Sequence, residues 1–103
     1  MSFFQNLFSN RQSTDLKNII EQGAFLVDVR GPGEFAQGSV LGAVNIPLDT
    51  LASQMFKFKD KQNIIVFCRS GNRSAQARLI LQQNGIKDVL NGGTLENVSQ
   101  FVQ

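Results

Sequence analysis

A chain of 103 residues, 42% of them hydrophobic and with a net charge of +2, has material for one modest core without metal or disulfide staples. Five of the ten basic residues, Arg11, Lys17, Lys57, Lys59 and Lys61, lie outside the motif regions, so no polybasic stripe marks a nucleic-acid or membrane binder. Histidine is absent and Cys68 is the one cysteine, which excludes Cys-His hydrolases, histidine phosphocarriers and internal disulfides, and argues against a transition-metal site.

Met1 to Arg11 places Phe3, Phe4, Leu7 and Phe8 at helical spacing, with Ser2 and Gln5 as a capping box. Residues 1–12 therefore read as an extension with a short helix, which either docks on the domain or meets a partner. The segment lacks the basic region and long apolar stretch of a secretory signal, and no run in the chain reaches membrane-spanning length, so cytoplasm is the expected compartment.

From Thr14 onward helix and strand alternate. The pattern predicts a helix Asp15 to Gln22 closed by Gly23, then a strand Phe25 to Val29. After a loop at Gly31-Pro32-Gly33 comes a helical turn Glu34 to Gln37, with Gly38 and Gly42 as turn residues, and a strand Ala43 to Ile46 stopped by Pro47. A helix Asp49 to Met55 and a polar connector Lys57 to Gln62 lead to a strand Asn63 to Phe67. The remainder reads as a helix Ser74 to Asn84 capped by Gly85, a strand Asp88 to Leu90, a turn at Asn91-Gly92-Gly93 and a last helix Thr94 to Val102. The nine phenylalanines read as core.

Continuous apolar strands separated by helices imply a mostly parallel sheet covered on both faces, a three-layer α/β sandwich. Such sheets bind ligands beyond the carboxyl ends of their strands, where Asp28, Arg30 and Cys68 all fall. A lone cysteine at a strand end is most often inert core. The residues after Cys68 are too polar for that: Arg69, Ser70, Gly71, Asn72, Arg73 and Ser74 form a loop that opens a helix, whose free N–H groups and positive dipole end favour a thiolate. Such a role requires that the sulfur be ionised near neutrality and reachable from solvent. Asp28 and Arg30 fit better as braces, with Arg30 paired to Asp28 or to Glu34, because a carboxylate beside the thiol would raise its pKa.

The run Cys68-Arg69-Ser70-Gly71-Asn72-Arg73-Ser74 resembles the active loop of the rhodanese family in its small single-domain form. Leu26-Val27-Asp28-Val29-Arg30, Glu34-Phe35, Gly38, Gly42-Ala43-Val44-Asn45-Ile46-Pro47 and Gly92-Gly93 match further landmarks in order, so the resemblance covers Thr14 to the C-terminus. Two positions depart from the pattern: Ser39 stands where the family often has histidine, and no tryptophan follows the Gly-Gly pair. The resemblance implies a single domain over 1–103 with its core in 14–103, and sulfane sulfur transfer through a Cys68 persulfide without a cofactor. A small anionic donor such as thiosulfate would supply sulfur, and cyanide, a thiol or a partner protein would accept it. Arg69 would hold the donor, and Arg73 would either do the same or tie the loop to the domain. A monomer or weak homodimer is expected. Two other readings compete: a non-catalytic rhodanese-like module that binds a partner or senses redox state, and a cysteine-dependent phosphatase or arsenate reductase. The latter need five residues between Cys and Arg where this chain has four.

Overall fold

The computed structural model describes residues 15–102. The expected helix in the Phe-rich extension therefore lies outside the described residues. A helix α1 runs through residues 15–21, followed by β1 (Phe25–Asp28), α2 (Pro32–Ala36), β2 (Val44–Asn45), a 3₁₀ helix (Leu48–Phe58), β3 (Ile64–Cys68), α3 (Asn72–Gln83), β4 (Val89–Thr94) and α4 (Leu95–Ser99). The four strands form one sheet in the order β2-β1-β3-β4. Every neighbouring pair is parallel, which completes the expected α/β sandwich.

Period-2 alternation along the buried strands divides their side chains between the two faces. Val27, Ile64, Val66 and Cys68 point to one side, where Leu51 and Phe58 of the 3₁₀ helix and Ala77 and Leu81 of α3 cover them. Leu26, Ile65 and Phe67 point to the other, against Leu16, Ile19 and Ile20 of α1 and Leu95 and Val98 of α4. Cys68 is thus the last inward residue of the central strand, on the side that α3 covers. Among the described residues no helix is long and apolar enough to cross a membrane.

Four expected elements are corrected here, and with them one phenylalanine expected in the core. Helix α2 starts at Pro32, inside the expected loop, because proline at a first helical position forgoes an N–H that would be unpaired anyway. The segment after Pro47 is 3₁₀, not α, and is kinked at Gln54, whose φ of −120° is non-helical. Its apolar residues Leu48 and Leu51, then Met55 and Phe58, fall three apart on either side of that kink, the spacing a threefold helix aligns. Phe58 is consequently buried, whereas Phe56 is 70% exposed and is not core.

The third correction concerns Asn91-Gly92-Gly93, which is not a turn but part of β4. Val66 pairs with Asn91 and Phe67 with Gly93, leaving Gly92 as the extra residue of a bulge. A Cβ on Gly92 would stand 2.5 Å from Val98 Cγ2 and 2.8 Å from Ile65 Cγ2, so only glycine lets α4 pack this close to the sheet. Fourth, α4 stops at Ser99 rather than Val102; its start is fixed by Thr94, whose hydroxyl accepts the Asn97 N–H.

Candidate active site

Strand β3 delivers Cys68 to the sheet's carboxyl edge, and the chain turns at once into α3 through Arg69, Ser70 and Gly71. Gly71 makes that turn possible. Its φ of +96° lies in the left-handed region, where a side chain costs about 1–2 kcal/mol. In this conformation the Gly71 N–H donates to Cys68 Sγ at 3.0 Å. The Ser74 hydroxyl, one helical turn on, lies 3.5 Å from the same sulfur. Burial pushes the Cys68 thiol up, while hydrogen bonds from the Ser74 hydroxyl and from the backbone N–H groups of Ser74, Gly71 and Ser70 pull it down; the balance falls below the ordinary thiol value.

The sulfur is nevertheless covered. Cys68 is 0% exposed, so the expectation that it be reachable from solvent is not met by this conformation. The physical cause is its inward register on β3 and the Gly71 and Ser74 contacts above it. Arg69 and Ser70, which lead into Gly71, are themselves exposed.

Asn72 and Arg73, expected in the loop ahead of the helix, instead form with Ser74 the first turn of α3, because Gly71 already takes the N-cap position, and with Arg69 and Ser70 they divide by environment. Ser70 Oγ accepts the Asn72 N–H at 3.5 Å and both residues face solvent. Arg69 sits at the rim of a cleft of about 290 Å³ shared with Arg30, Glu34, Gln37, Leu95 and Glu96. Arg73 is tied to α2: its guanidinium donates to Glu34 Oε1 at 2.8 Å and Oε2 at 3.0 Å. It also borders an apolar cleft of about 340 Å³ formed with Val29, Gly31, Pro47, Leu48 and Asp49. Cys68 lines neither cleft.

Glu34 was legible as a family landmark but not as the loop's anchor. Hydrogen bonds from Arg73 and from the Gly31 N–H hold its carboxyl down at about 2. A depressed carboxylate adds stability above its unfolded value, here 4.5, and loses it as pH falls through the folded value. Acid titration of the wild type should therefore show a loss of loop order between pH 4.5 and about 2 that is missing in Glu34→Gln, whose loop is already loosened at neutral pH. Amide exchange at Gly71 to Ser74 reads this directly; identical protection in both proteins across that window would refute the tether.

Asp28 and Arg30 stand where bracing residues should. Asp28 accepts the Arg30 N–H at 2.9 Å, Arg30 Nε at 2.9 and 3.0 Å, Arg30 Nη2 at 2.7 Å and the Ser39 hydroxyl at 2.7 Å. Arg30 Nη2 also donates to Gly38 O, and the Asn45 amide donates to both Asp28 O and Arg30 O. Three segments are thereby fastened at the edge of the sheet, with Ser39 supplying a donor to the buried carboxylate. Sequence reasoning gave Ser39 and Asn45 no such part, since nothing local marks a contact made 11 or 17 residues away.

A family model described as Rhodanese-like domain matches residues 12–97. A sulfurtransferase of Allochromatium vinosum is 37% identical over 70 residues, 68% of this chain; the chain spans just under two thirds, 65%, of that relative. The thiosulfate sulfurtransferase PspE of Escherichia coli is 36% identical over 75 residues, 71% of this chain and 72% of the relative. Among solved structures, a rhodanese with anions from E. coli superposes with a TM-score of 0.68 at 34% identity, covering 75% of this chain and 93% of that one. With its parallel sheet and its cysteine loop opening α3, the chain belongs to the rhodanese-like domain family.

Proposed function

We propose that this chain is a sulfurtransferase that carries sulfane sulfur on Cys68. The observation that supports it best is the double contact on Sγ from the Gly71 N–H and the Ser74 hydroxyl, donors that stabilise an anionic sulfur whether thiolate or persulfide. With thiosulfate as donor, the Cys68 thiolate attacks the outer sulfur, a new S–S bond forms, and sulfite departs with the electron pair of the broken bond. Cyanide or a thiolate then attacks the outer sulfur, and the S–S bonding pair returns to Cys68. Arg69, exposed within the loop, would supply the cation that holds the donor's anionic tail.

Because Cys68 is covered, each half-reaction requires the site to open far enough for donor or acceptor to reach Sγ while the Gly71 N–H stays on it. That burial also favours a second reading, a rhodanese-like module that binds a partner without turnover. Incubating the protein with thiosulfate and cyanide separates the two. Steady thiocyanate formation is the expected result; no turnover with thiosulfate, mercaptopyruvate or glutathione persulfide, together with a thiol that resists alkylation, would select the module. A Cys68-dependent release of phosphate from an aryl phosphate would instead select the phosphatase reading.

A further inference from the structure

The Ser74 hydroxyl has one proton and three acceptors around it. Asn91 Oδ1 lies at 2.7 Å, Gly71 O at 3.1 Å and Cys68 Sγ at 3.5 Å. Asn91 is not free to turn its amide over, because its Oδ1 already accepts the Gly93 N–H at 2.9 Å and its Nδ2 donates to Gly71 O at 3.3 Å. Its oxygen therefore faces Ser74 as a fixed acceptor, brought there by the bulge that carries Asn91, Gly92 and Gly93 along β4.

We infer that Asn91 is a positioning residue that competes with Cys68 for the Ser74 proton and so sets how readily the sulfur ionises. With Cys68 protonated, its S–H donates to Ser74 Oγ and the Ser74 proton points to Asn91, and every group is satisfied. When Cys68 ionises, the Ser74 proton must turn to the sulfur and leave Asn91 Oδ1 with the Gly93 N–H alone. Asn91 thus holds part of Ser74's stabilising effect in reserve and favours the protonated sulfur. The inference rests on Cys68 acting as the sulfur carrier.

Other charges bear on Cys68 as well. Arg73, from α3, feels its charge directly, and the Asp28–Arg30 pair and Glu34 surround Arg73. Arg69 adjoins Cys68 in the chain. None of these is a hydrogen-bond partner of Asn91, but Gly71 is, and its N–H also reaches the sulfur, so it is the comparison of a change at Asn91 with and without the Ser74 hydroxyl that isolates the competition.

Titration of the single thiol by ultraviolet absorbance is clean in this chain, which has no tyrosine and no second cysteine. Removing the competing acceptor in Asn91→Ala should lower the midpoint by roughly one pH unit, the scale of one hydrogen bond to a charged group. Ser74→Ala should raise it, and Asn91→Ala added to Ser74→Ala should then change nothing. An unshifted or raised midpoint in folded Asn91→Ala, or an equal shift with and without the Ser74 hydroxyl, would overturn the inference. Should Asn91→Ala not fold, Asn91→Val, a better strand former that still cannot accept a proton, carries the same expectation. The titration uses no sulfur donor. A chain that titrates as expected but forms no thiocyanate refutes the proposed function, whereas turnover with Asn91 variants that leave the midpoint unmoved refutes only the role of Asn91.

Discussion

Cys68→Ser is expected to reduce thiocyanate formation to the uncatalysed background, a loss of at least roughly a thousandfold, while leaving the fold in place. A serine hydroxyl stays protonated under conditions where this thiol ionises, and it forms no persulfide. The site around it is otherwise kept, since an oxygen at position 68 still accepts the Gly71 N–H and still lies beside Ser74. The substitution therefore separates chemistry from architecture more cleanly than a change to any neighbouring residue. Circular dichroism and the thermal midpoint establish that the variant is folded; residual turnover within tenfold of wild type would show that the transferred sulfur never resides on Cys68.

Asp28→Ala is expected to cost about 3–5 kcal/mol of stability, because it leaves the Arg30 guanidinium without its buried partner. Asp28 is 0% exposed and Arg30 is 7% exposed, so the variant leaves a largely buried cation short of the acceptor that matched it. Hydrogen bonding to Asp28 holds Arg30 above its ordinary pKa, and an arginine that has lost this partner still cannot escape the penalty by shedding its proton. Against a typical total of about 5–15 kcal/mol for a domain, that loss is enough to populate unfolded chain. Denaturant unfolding measures it. The Asp28→Leu, Arg30→Met double variant, which removes both charges, should recover a large part of the loss; an Asp28→Ala midpoint equal to wild type would show that the pair braces nothing.

Strands β1 and β3 were legible because each is a short, mostly apolar run bounded by breakers, and burial on both faces of a parallel sheet leaves such runs unbroken. Cys68 and its loop were legible for a related reason: the chemistry is contiguous, and the switch from Phe67 to Arg69 marks the point where the chain leaves the core. Contacts with a partner distant in sequence escaped. The Arg73–Glu34 tether spans 39 residues and the Ser74–Asn91 contact spans 17, and neither leaves a trace in local pattern. Gly92-Gly93 has the composition of a turn, and only the approach of Val98 and Ile65 reveals that the first glycine clears a packing surface instead. The cover over Cys68 was invisible in the same way, since a polar loop reads as exposed whether or not its backbone folds back over the residue before it.

Sulfur transfer by this chain requires that Gly71 and Ser74 hold one sulfur atom firmly enough for it to carry a second. Intact-protein mass spectrometry after incubation with thiosulfate tests this most directly. One additional sulfur is predicted on the wild-type chain, absent from Cys68→Ser and discharged by cyanide. An unchanged mass with every sulfane donor tried, or the same gain on Cys68→Ser, would contradict it.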